Sequence, residues 1–488
     1  MQTPTSAPYA ALIETLQTIV GSAYVLTESA DGDPSVDLTA YVQDWRKRER
    51  GIALAVVRPN STEQVAAIVK ACAATPGVSI VPQGGNTGMV VGSTPDESGT
   101  QVVLSLQRMN SVRKLDVGNG TITLDAGCVL QNVQQVCFDA GYLFPLSLGS
   151  QGSCTIGGNL GTNAGGTQVV RFGNTRELCL GLEVVTAQGE VWSGLSGLRK
   201  DNTGYDLRDL FIGAEGTLGI ITGATMKMYP LPASKLTAFA AVPSMDAAVT
   251  LLGLAHKYLS AGLTGFEVMG QFALSLVGKH YPQQRVPFLG MDGAPYCVVL
   301  ENSDHESEAH AREQFERLLE AAMEDGCVLD AVVAENITQA KQLWHIRESI
   351  PLAQADEGLN IKHDISIPVS SIPEFVRLTD AKLETAFPGA RLVNYGHLGD
   401  GNLHYNVQAP VGSDQAAFLN DQEEGVNALV FEMVDQFSGS ISAEHGVGNL
   451  KVDKLPHHKS PVAIELMRTI KRALDPQNIM NPGRVVRV

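Results

Sequence analysis

Several features that would assign a chain to a familiar class are missing from this sequence. No Cys-x-x-Cys pair occurs, and the seven cysteines are scattered and odd in number. Such cysteines are typical of buried thiols in a reducing compartment. No apolar stretch approaches the length of a membrane span, and residues 1–9 lack the basic and apolar regions of a secretory signal. The sequence therefore predicts a cytoplasmic protein with no membrane span.

Positive charge and the common nucleotide-binding fingerprints are also scarce. The formal net charge is −17 at pH 7 and no run rich in lysine or arginine appears, which argues against nucleic-acid binding. A small anionic substrate would therefore need a local cationic pocket. Neither G-x-G-x-x-G nor G-x-x-x-x-G-K-[ST] occurs, so a Rossmann NAD domain and a P-loop nucleotidase are both poorly supported.

Glycine-rich loops, in contrast, are abundant in the first half of the chain. A strand at 53–57, a helix beginning at Ser61 and a strand at 78–81 predict a βαβ start that runs into the loop 82–88. Residues 149–173 then contain eight glycines, and evenly spaced glycines at 213–219 precede an apolar strand. Such backbones can approach a ligand closely and direct N–H groups at phosphate oxygens. The loops indicate a dinucleotide pyrophosphate site of non-Rossmann type; simple turn chemistry is the alternative for each loop taken alone.

A second chemical signal lies late in the chain. His397 and His404 flank a glycine-rich turn, and Glu444 and His445 follow about forty residues on. A turn can fold both rings toward one point, where two imidazoles and a carboxylate can hold a divalent metal and leave positions open for a substrate. The alternative is that each histidine is a loop or core residue satisfied by a local hydrogen bond.

The length of the chain and the pattern of its predicted elements indicate how it divides into domains. A chain of 488 residues is too long for one ordinary core. The pattern of predicted strands and helices changes at Pro230-Leu231-Pro232, which is typical of a domain boundary. We predict domains at 1–234 and 235–420, the second an α+β cap domain, and a mainly helical C-terminal region at 421–488.

Taken together, the motifs at 82–88, 396–404, 475–476 and 481–483 resemble those of the FAD-linked 2-hydroxyacid dehydrogenases. These enzymes belong to the vanillyl-alcohol oxidase fold group, and the resemblance is to the branch holding D-2-hydroxyglutarate dehydrogenase and D-lactate dehydrogenase (cytochrome). It covers nearly the whole chain and implies an α+β fold with a two-part FAD-binding domain.

The resemblance further implies FAD bound without a covalent link, because Asn86 stands where some relatives in the fold group carry a flavin-linked histidine. The residues expected to hold FAD are Pro82, Gly84, Gly85, Asn86, Thr87, Gly88, Ser147, Gly149, Ser153, Gly157, Asn159, Thr162, Asn163, Gly166, Gly219, Ile220 and Asn481.

The same resemblance assigns roles around the histidine cluster. His397, His404 and Glu444 match metal ligands and His445 matches a catalytic base. Zinc is the first choice of metal because it has no redox chemistry of its own, although manganese or iron also accepts nitrogen and oxygen ligands. A Lewis acid on the hydroxyl oxygen and a nearby base would both assist oxidation of a secondary alcohol.

Substrate choice depends on three more residues. Arg347 and Lys362 match cations that grip carboxylates. Asn406 is expected to direct a donor at the hydroxyl oxygen that the metal contacts, with a strand amide bonded to its neighbour as the alternative. Two cations favour D-2-hydroxyglutarate, oxidised to 2-oxoglutarate. Pro351 stands where the hydroxyglutarate enzymes can place a threonine, which leaves D-malate and D-lactate open.

The sequence also predicts an electron acceptor and an assembly, and it leaves two other functions open. The sequence has no iron–sulfur or haem pattern, so electrons must pass to an external electron-transfer flavoprotein, quinone or cytochrome. The resemblance makes a homodimer plausible. The rivals are a non-redox flavin transferase resembling alkyl-glycerone-phosphate synthase and a non-catalytic flavoprotein subunit of a larger oxidase complex.

Overall fold

The structure, a computed structural model, describes residues 7–28 and 37–488. The first six residues, on which the secretory-signal prediction partly depends, lie outside the described residues. Among the helices of the described chain, none combines the length and the hydropathy that crossing a bilayer requires. All seven cysteines are buried as free thiols.

The strands and helices are numbered in chain order. The strands are β1 (Val25–Leu26), β2 (Ala53–Val57), β3 (Ser79–Gln83), β4 (Gln101–Ser105), β5 (Val112–Asp116), β6 (Thr121–Asp125), β7 (Tyr142–Leu143), β8 (Cys179–Thr186), β9 (Val191–Gly194), β10 (Gly219–Lys227), β11 (Tyr229–Pro230), β12 (Ser234–Val242), β13 (Leu263–Gly270), β14 (Tyr296–Asp304), β15 (Asp330–Val333), β16 (Asn360–Ile361), β17 (Asp364–Ser366), β18 (Arg391–Gly396) and β19 (Asn402–Gln408). The helices are α1 (Ala7–Val20), α2 (Thr39–Val42), α3 (Thr62–Ala73), α4 (Leu130–Asp139), α5 (Ile156–Thr162), α6 (Val169–Phe172), α7 (Thr175–Leu178), α8 (Arg208–Phe211), α9 (Met245–Leu259), α10 (Gln271–His280), α11 (Glu308–Asp325), α12 (Ile337–Glu357), α13 (Ile372–Ala386), α14 (Gln415–Gln436), α15 (Leu455–His458) and α16 (Pro461–Leu474).

The chain divides into two compact units. The first unit comprises Met1–Gly165, Asn174–Pro230 and Glu444–Val488, and the second comprises Gly166–Gly173 and Leu231–Ala443. The segment 421–488, predicted as one helical region, is thus shared: α14 packs in the second unit, whereas α15 and α16 belong to the first.

The first unit contains a mainly parallel sheet and an antiparallel sheet. In the parallel sheet the strand order is β1-β2-β4-β3, and in the antiparallel sheet it is β5-β6-β10-β8-β9. Helix α3 connects β2 to β3 and begins where predicted, because the Ser61 hydroxyl accepts a hydrogen bond from the Gln64 backbone N–H. Its buried stripe includes Val65, Ile68 and Val69, which completes the βαβ start.

The second unit is built on a sheet of order β15-β12-β14-β13-β18-β19-β16, with β17 also paired to β19. One cluster of buried side chains, including Phe239, Met269 and Tyr395, packs with α10 and α12. The other, including Phe266 and Tyr405, packs with α9, α11, α13 and α14. Both faces are therefore covered by helices, which makes an α+β layered unit.

Strand register decides which polar residues share a face of this sheet. Met269 pairs with Tyr395, Tyr395 pairs with His404, and His404 pairs with Asp364. Directly paired residues of antiparallel strands point to the same side, so these side chains line one face. By alternation along β13, Glu267 points to that face as well.

A buried carboxyl group lies on the opposite face of the same sheet. Asp380 on α13 accepts hydrogen bonds from the Tyr405 hydroxyl and, at 3.4 Å, from Asn394 Nδ2. Burial raises the pKa of Asp380 to about 6. The folded state therefore binds this proton more tightly than the unfolded chain, whose ordinary pKa is 3.8, and the stability from this group is present below about pH 4 and lost as the pH rises through 6.

Asp380→Asn should consequently make the protein more stable at pH 8 but not at pH 4.5. The amide oxygen still accepts from Tyr405, and Oδ1 of Asn394, a buried atom without a hydrogen-bond partner, can accept from the new N–H. The pKa shift corresponds to roughly 1–3 kcal/mol, or several degrees in the midpoint of thermal unfolding. Midpoints of both proteins measured from pH 4.5 to 8 test this; a difference independent of pH would contradict it.

Candidate active site

The two histidines of the glycine-rich turn are brought together by a hairpin. Strand β18 ends at Gly396, residues Leu398–Asp400 form a 3₁₀ turn, and β19 begins at Asn402. Gly401 has a φ of 85°, and a Cβ there would lie 2.5 Å from the Ile367 carbonyl oxygen, so only glycine fits the turn. The rings of His397 and His404 lie edge to face with centroids 5.5 Å apart.

The predicted metal ligands form one group. Ligand atoms of His397, His404 and Glu444 all lie within 4.8 Å of one another. Metal–ligand bonds of about 2.0–2.2 Å place two ligands of one ion at most about 4.4 Å apart, which is close to the span of this group. Two imidazoles and one carboxylate suit zinc in a catalytic site, where a fourth position is open. The donor set therefore fits a divalent metal.

The segment that carries Glu444 is held on both sides. Before it, the Ala443 backbone N–H donates to the Asp364 carbonyl oxygen at 3.3 Å. After it, the Glu215 carboxylate accepts from the backbone N–H groups of Val447, at 2.7 Å, and Gly448, at 2.8 Å. Glu215 belongs to the glycine motif 213–219, which was expected only to serve a dinucleotide. Its carboxylate orders the chain next to Glu444, the predicted metal ligand.

His445 lies beside this ligand. Its Nε2 is 3.7 Å from Glu444 Oε1, and its side chain is 29% exposed, so the ring can meet a small molecule. A second group of ligand-type atoms within 4.8 Å joins Asp364, Glu444 and His445. Asp364 was not predicted to take part; it is buried and its Oδ1 accepts from Asn402 Nδ2 at 2.9 Å.

Arg347, a predicted substrate cation, is embedded in the second unit. It lies on α12, is only 6% exposed, and its Nε donates to Glu267 Oε2 at 2.8 Å. The two-pronged grip on a substrate carboxylate predicted for Arg347 would therefore have to use its two terminal nitrogens. Pro351 follows one turn later on the same helix and supplies no hydroxyl there.

Lys362 and Asn406 lie on neighbouring segments of the second unit. Lys362 is half-buried between β16 and β17, both of which pair with β19. Asn406 on β19 is 2% exposed; its Oδ1 accepts from the His363 backbone N–H at 3.0 Å, and its Nδ2 donates to Gln354 Oε1 at 2.9 Å. The amide thus has protein partners at both ends, and a substrate contact would have only its second N–H.

Glu267 is a further residue that the sequence did not single out. Its carboxylate is fully buried and accepts from His397 Nδ1 at 2.5 Å. Burial by itself would raise the pKa of Glu267, but the adjacent His397 and Arg347 hold it below the usual value. The available signal was a lone acid inside an otherwise uncharged strand, Leu263–Gly270.

The residues expected to hold FAD lie in the first unit, except Gly166, which begins the segment Gly166–Gly173 of the second. Two of their loops touch: a Cβ on Gly84 would lie 2.4 Å from Thr155 Oγ1, and one on Gly85 would lie 2.1 Å from the Ser153 carbonyl oxygen. Thr162 and Asn163 end the short helix α5, which contains Gly157 and Asn159.

Some of these residues contact protein rather than open space. The Asn86 side chain donates to the carbonyl oxygens of Ala40 and Gln43, so only its backbone is left to face a cofactor. Ile220 is buried and pairs with Val185 on β8. A Cβ on Gly219 would lie 2.8 Å from Val184, so that glycine serves strand packing.

Other features of the first unit fit a large polar cofactor. Two buried atoms, Asn159 Nδ2 and Asn481 Oδ1, have no protein hydrogen-bond partner, and buried amide atoms normally have one. A Cβ added to Gly88 or Gly149 would meet nothing within 4 Å. A bound flavin dinucleotide could supply hydrogen-bond partners to these two amide atoms.

Both halves of the chain match known protein families. Residues 53–194 match an FAD binding domain, and residues 231–485 match the C-terminal domain of FAD linked oxidases.

Comparison with curated proteins gives similar full-length relatives. A protein of Oryza sativa subsp. indica named probable D-2-hydroxyglutarate dehydrogenase, mitochondrial, is 39% identical over 91% of this chain and 77% of its own. The D-2-hydroxyglutarate dehydrogenase of Xanthomonas citri pv. viticola is 38% identical over 97% of this chain and 96% of its own.

Solved structures share the fold at lower identity. p-Cresol methylhydroxylase with substrate bound has a TM-score of 0.76 at 17% identity, covering 98% of this chain and 97% of its own. Alkyldihydroxyacetonephosphate synthase has a TM-score of 0.73 at 16% identity, covering 99% of this chain and 86% of its own. At this identity the likeness extends to the fold alone.

Proposed function

The chain belongs to the FAD-linked oxidase family and is an FAD-dependent dehydrogenase, and on that premise we propose that it oxidises D-2-hydroxyglutarate to 2-oxoglutarate. The observation that carries the proposal is 38% identity to a D-2-hydroxyglutarate dehydrogenase over 97% of this chain and 96% of the relative. The grouping of His397, His404 and Glu444 also supports it, because these residues could hold a metal ion that assists oxidation of the hydroxyl group.

Two groups complete the proposed site. When bound, FAD supplies the acceptor for the C2 hydrogen with its electron pair, and a divalent ion supplies positive charge beside the hydroxyl oxygen. His397, His404 and Glu444 would hold the ion, for which zinc is our choice. Asn159 and Asn481 would complete their hydrogen bonds with the dinucleotide, held without a covalent link.

His445 is the proposed base. Oxidation of a secondary alcohol to a ketone releases the hydroxyl proton as well as the C2 hydrogen, and a partly exposed imidazole can accept that proton near neutral pH. The ring then returns the proton to solvent.

The substrate proposal depends on charge. A 2-hydroxy diacid carries two carboxylates, and Arg347 and Lys362 are two cations for them in the second unit. D-Malate is the second candidate, because Pro351 removes the hydroxyl that could reach a more distant carboxylate. D-Lactate has one carboxylate and would engage only one of these two cations.

Turnover also requires an external electron acceptor. Neither iron–sulfur nor haem ligation patterns occur in the sequence, so we propose an electron-transfer flavoprotein, a quinone or a cytochrome. The seven buried thiols suit the cytoplasm, the proposed compartment, and a homodimer is the proposed assembly.

Anaerobic mixing with a panel of 2-hydroxy acids should bleach the flavin absorbance fastest with D-2-hydroxyglutarate. D-Malate and D-lactate should be slower, and the L-enantiomers should not react. A faster reaction with D-malate would move the assignment to the shorter diacid, and a faster reaction with D-lactate would remove the role of the second cation. Failure of every D-2-hydroxy acid to bleach the flavin would refute the proposed function.

A further inference from the structure

A fully buried carboxylate, that of Glu267, contacts His397 of the histidine cluster. Glu267 lies on β13, its side chain has 0% exposure, and its neighbours in sequence, Phe266 and Val268, are buried and apolar. An ionised carboxylate in such a place is strongly unfavourable unless charged or hydrogen-bonding partners compensate it. The partners of Glu267 therefore indicate what it does.

Each oxygen of Glu267 serves one partner. Oε2 accepts from Arg347 Nε at 2.8 Å, and Oε1 faces His397 Nδ1 at 2.5 Å. An arginine keeps its proton in proteins, so the paired carboxylate is ionised and can only accept hydrogen bonds. His397 Nδ1 must then carry a hydrogen, which leaves Nε2 of the neutral ring with its lone pair, the form that binds a metal.

The same partners connect to the second histidine ligand. The Arg347 guanidinium lies over the Tyr395 ring, 4.8 Å from its centre. That ring packs against His404 with centroids 4.9 Å apart, and His404 packs against His397. Glu267, Arg347, Tyr395 and the two imidazoles thus form a closed set of contacts, so displacing the carboxylate would disturb both rings.

We infer that Glu267 is a positioning residue that fixes His397 in the tautomer and orientation of a metal ligand and ties the Arg347 guanidinium to the same carboxylate. This inference rests on the proposed metal site and adds to it a residue that touches neither the ion nor the substrate. Carboxylates behind histidine ligands typically contribute about 10- to 100-fold to metal affinity.

Glu267→Gln gives the sharpest test. Because Arg347 can only donate, the amide oxygen must turn toward it and the amide N–H₂ toward His397. That donor favours the opposite tautomer, with hydrogen on Nε2, where the metal should bind. Glu267→Asp keeps two acceptor oxygens on a shorter stem and should restore part of the loss. Glu301→Gln is the matched control, since Glu301 accepts from the Thr264 hydroxyl at 2.7 Å on the adjacent strand β14.

The measurement is Zn²⁺ affinity of the flavin-loaded protein by competition with a chelator, without substrate. We expect affinity to fall about 10- to 100-fold in Glu267→Gln, less in Glu267→Asp, and not at all in Glu301→Gln. Zinc affinity of Glu267→Gln equal to that of the unaltered protein would overturn the inference. Failure of the unaltered protein to bind Zn²⁺ would instead overturn the proposed metal site.

A second measurement observes the His397 ring in the unaltered protein. Nitrogen-15 spectra of histidine in the unaltered, metal-free protein, with His397 assigned from a His397→Gln sample, report which ring nitrogen carries hydrogen. Hydrogen on Nδ1 is expected. A neutral His397 ring with hydrogen on Nε2 would rule out the proposed role of Glu267, whatever the zinc result.

Discussion

His445→Ala should lower the rate of anaerobic flavin reduction by D-2-hydroxyglutarate by about 10²- to 10⁴-fold, the usual contribution of a general base. The physical reason is that the hydroxyl proton would have to leave to water, which is a far weaker base than imidazole near neutral pH. Because His445 is not among the proposed metal ligands or the residues expected to hold FAD, flavin content and metal content should be unchanged.

Two readouts distinguish a base from a ligand. Metal content by elemental analysis should be the same in His445→Ala and the unaltered protein, while the reduction rate falls. His256→Ala, at an exposed position of α9, is the control for loss of an imidazole and should react normally. An unchanged reduction rate in His445→Ala would exclude His445 as the base, and loss of the metal would make it a ligand.

Removal of the metal should have an effect of similar size. A Lewis acid on a reacting oxygen supplies several kcal/mol of transition-state stabilisation, so complete chelation should slow flavin reduction by about 10³-fold. Zn²⁺ added back should restore the rate of the unaltered protein. His404→Ala should be slow from the outset and should not recover with Zn²⁺, because one of the three proposed ligands is missing.

The flavin provides an internal control for this experiment. Its absorbance and content should be the same before and after chelation, because the residues expected to hold FAD include none of His397, His404 and Glu444. Reduction that continues at the full rate after all metal is removed would disprove the metal role and leave the dehydrogenase role intact.

Local patterns in the sequence predicted much of the fold. The strand at 53–57 coincides with Ala53–Val57, and the helix predicted from Ser61 is Thr62–Ala73 with Ser61 as its cap. Such elements are readable because their apolar periodicity and capping residues are local. The vanillyl-alcohol oxidase type of fold, implied by the motifs, is confirmed by the likeness to p-cresol methylhydroxylase.

Strand β13 of the second unit was not predicted from the sequence. All eight residues of β13 are buried, and a strand covered on both faces shows no alternation of apolar and polar residues. The hairpin of β18 and β19 was predicted only as a turn between two histidines, since its pairing with β13 depends on residues more than a hundred positions away.

The sequence by itself determined the chemical repertoire: glycine loops for a dinucleotide, and His397, His404, Glu444 and His445 as the candidates for metal and proton chemistry. These follow from residue types and short spacings, because a ligand or base must have the right side chain. Only the tertiary structure decided which other residues contact these side chains and hold them in place. Glu267 reaches His397 from 130 residues away and Arg347 from 80 residues away, and Asn406 contacts His363 and Gln354 through strand register and helix packing. Contacts between distant segments depend on how the strands pair and the helices pack, which no local pattern specifies.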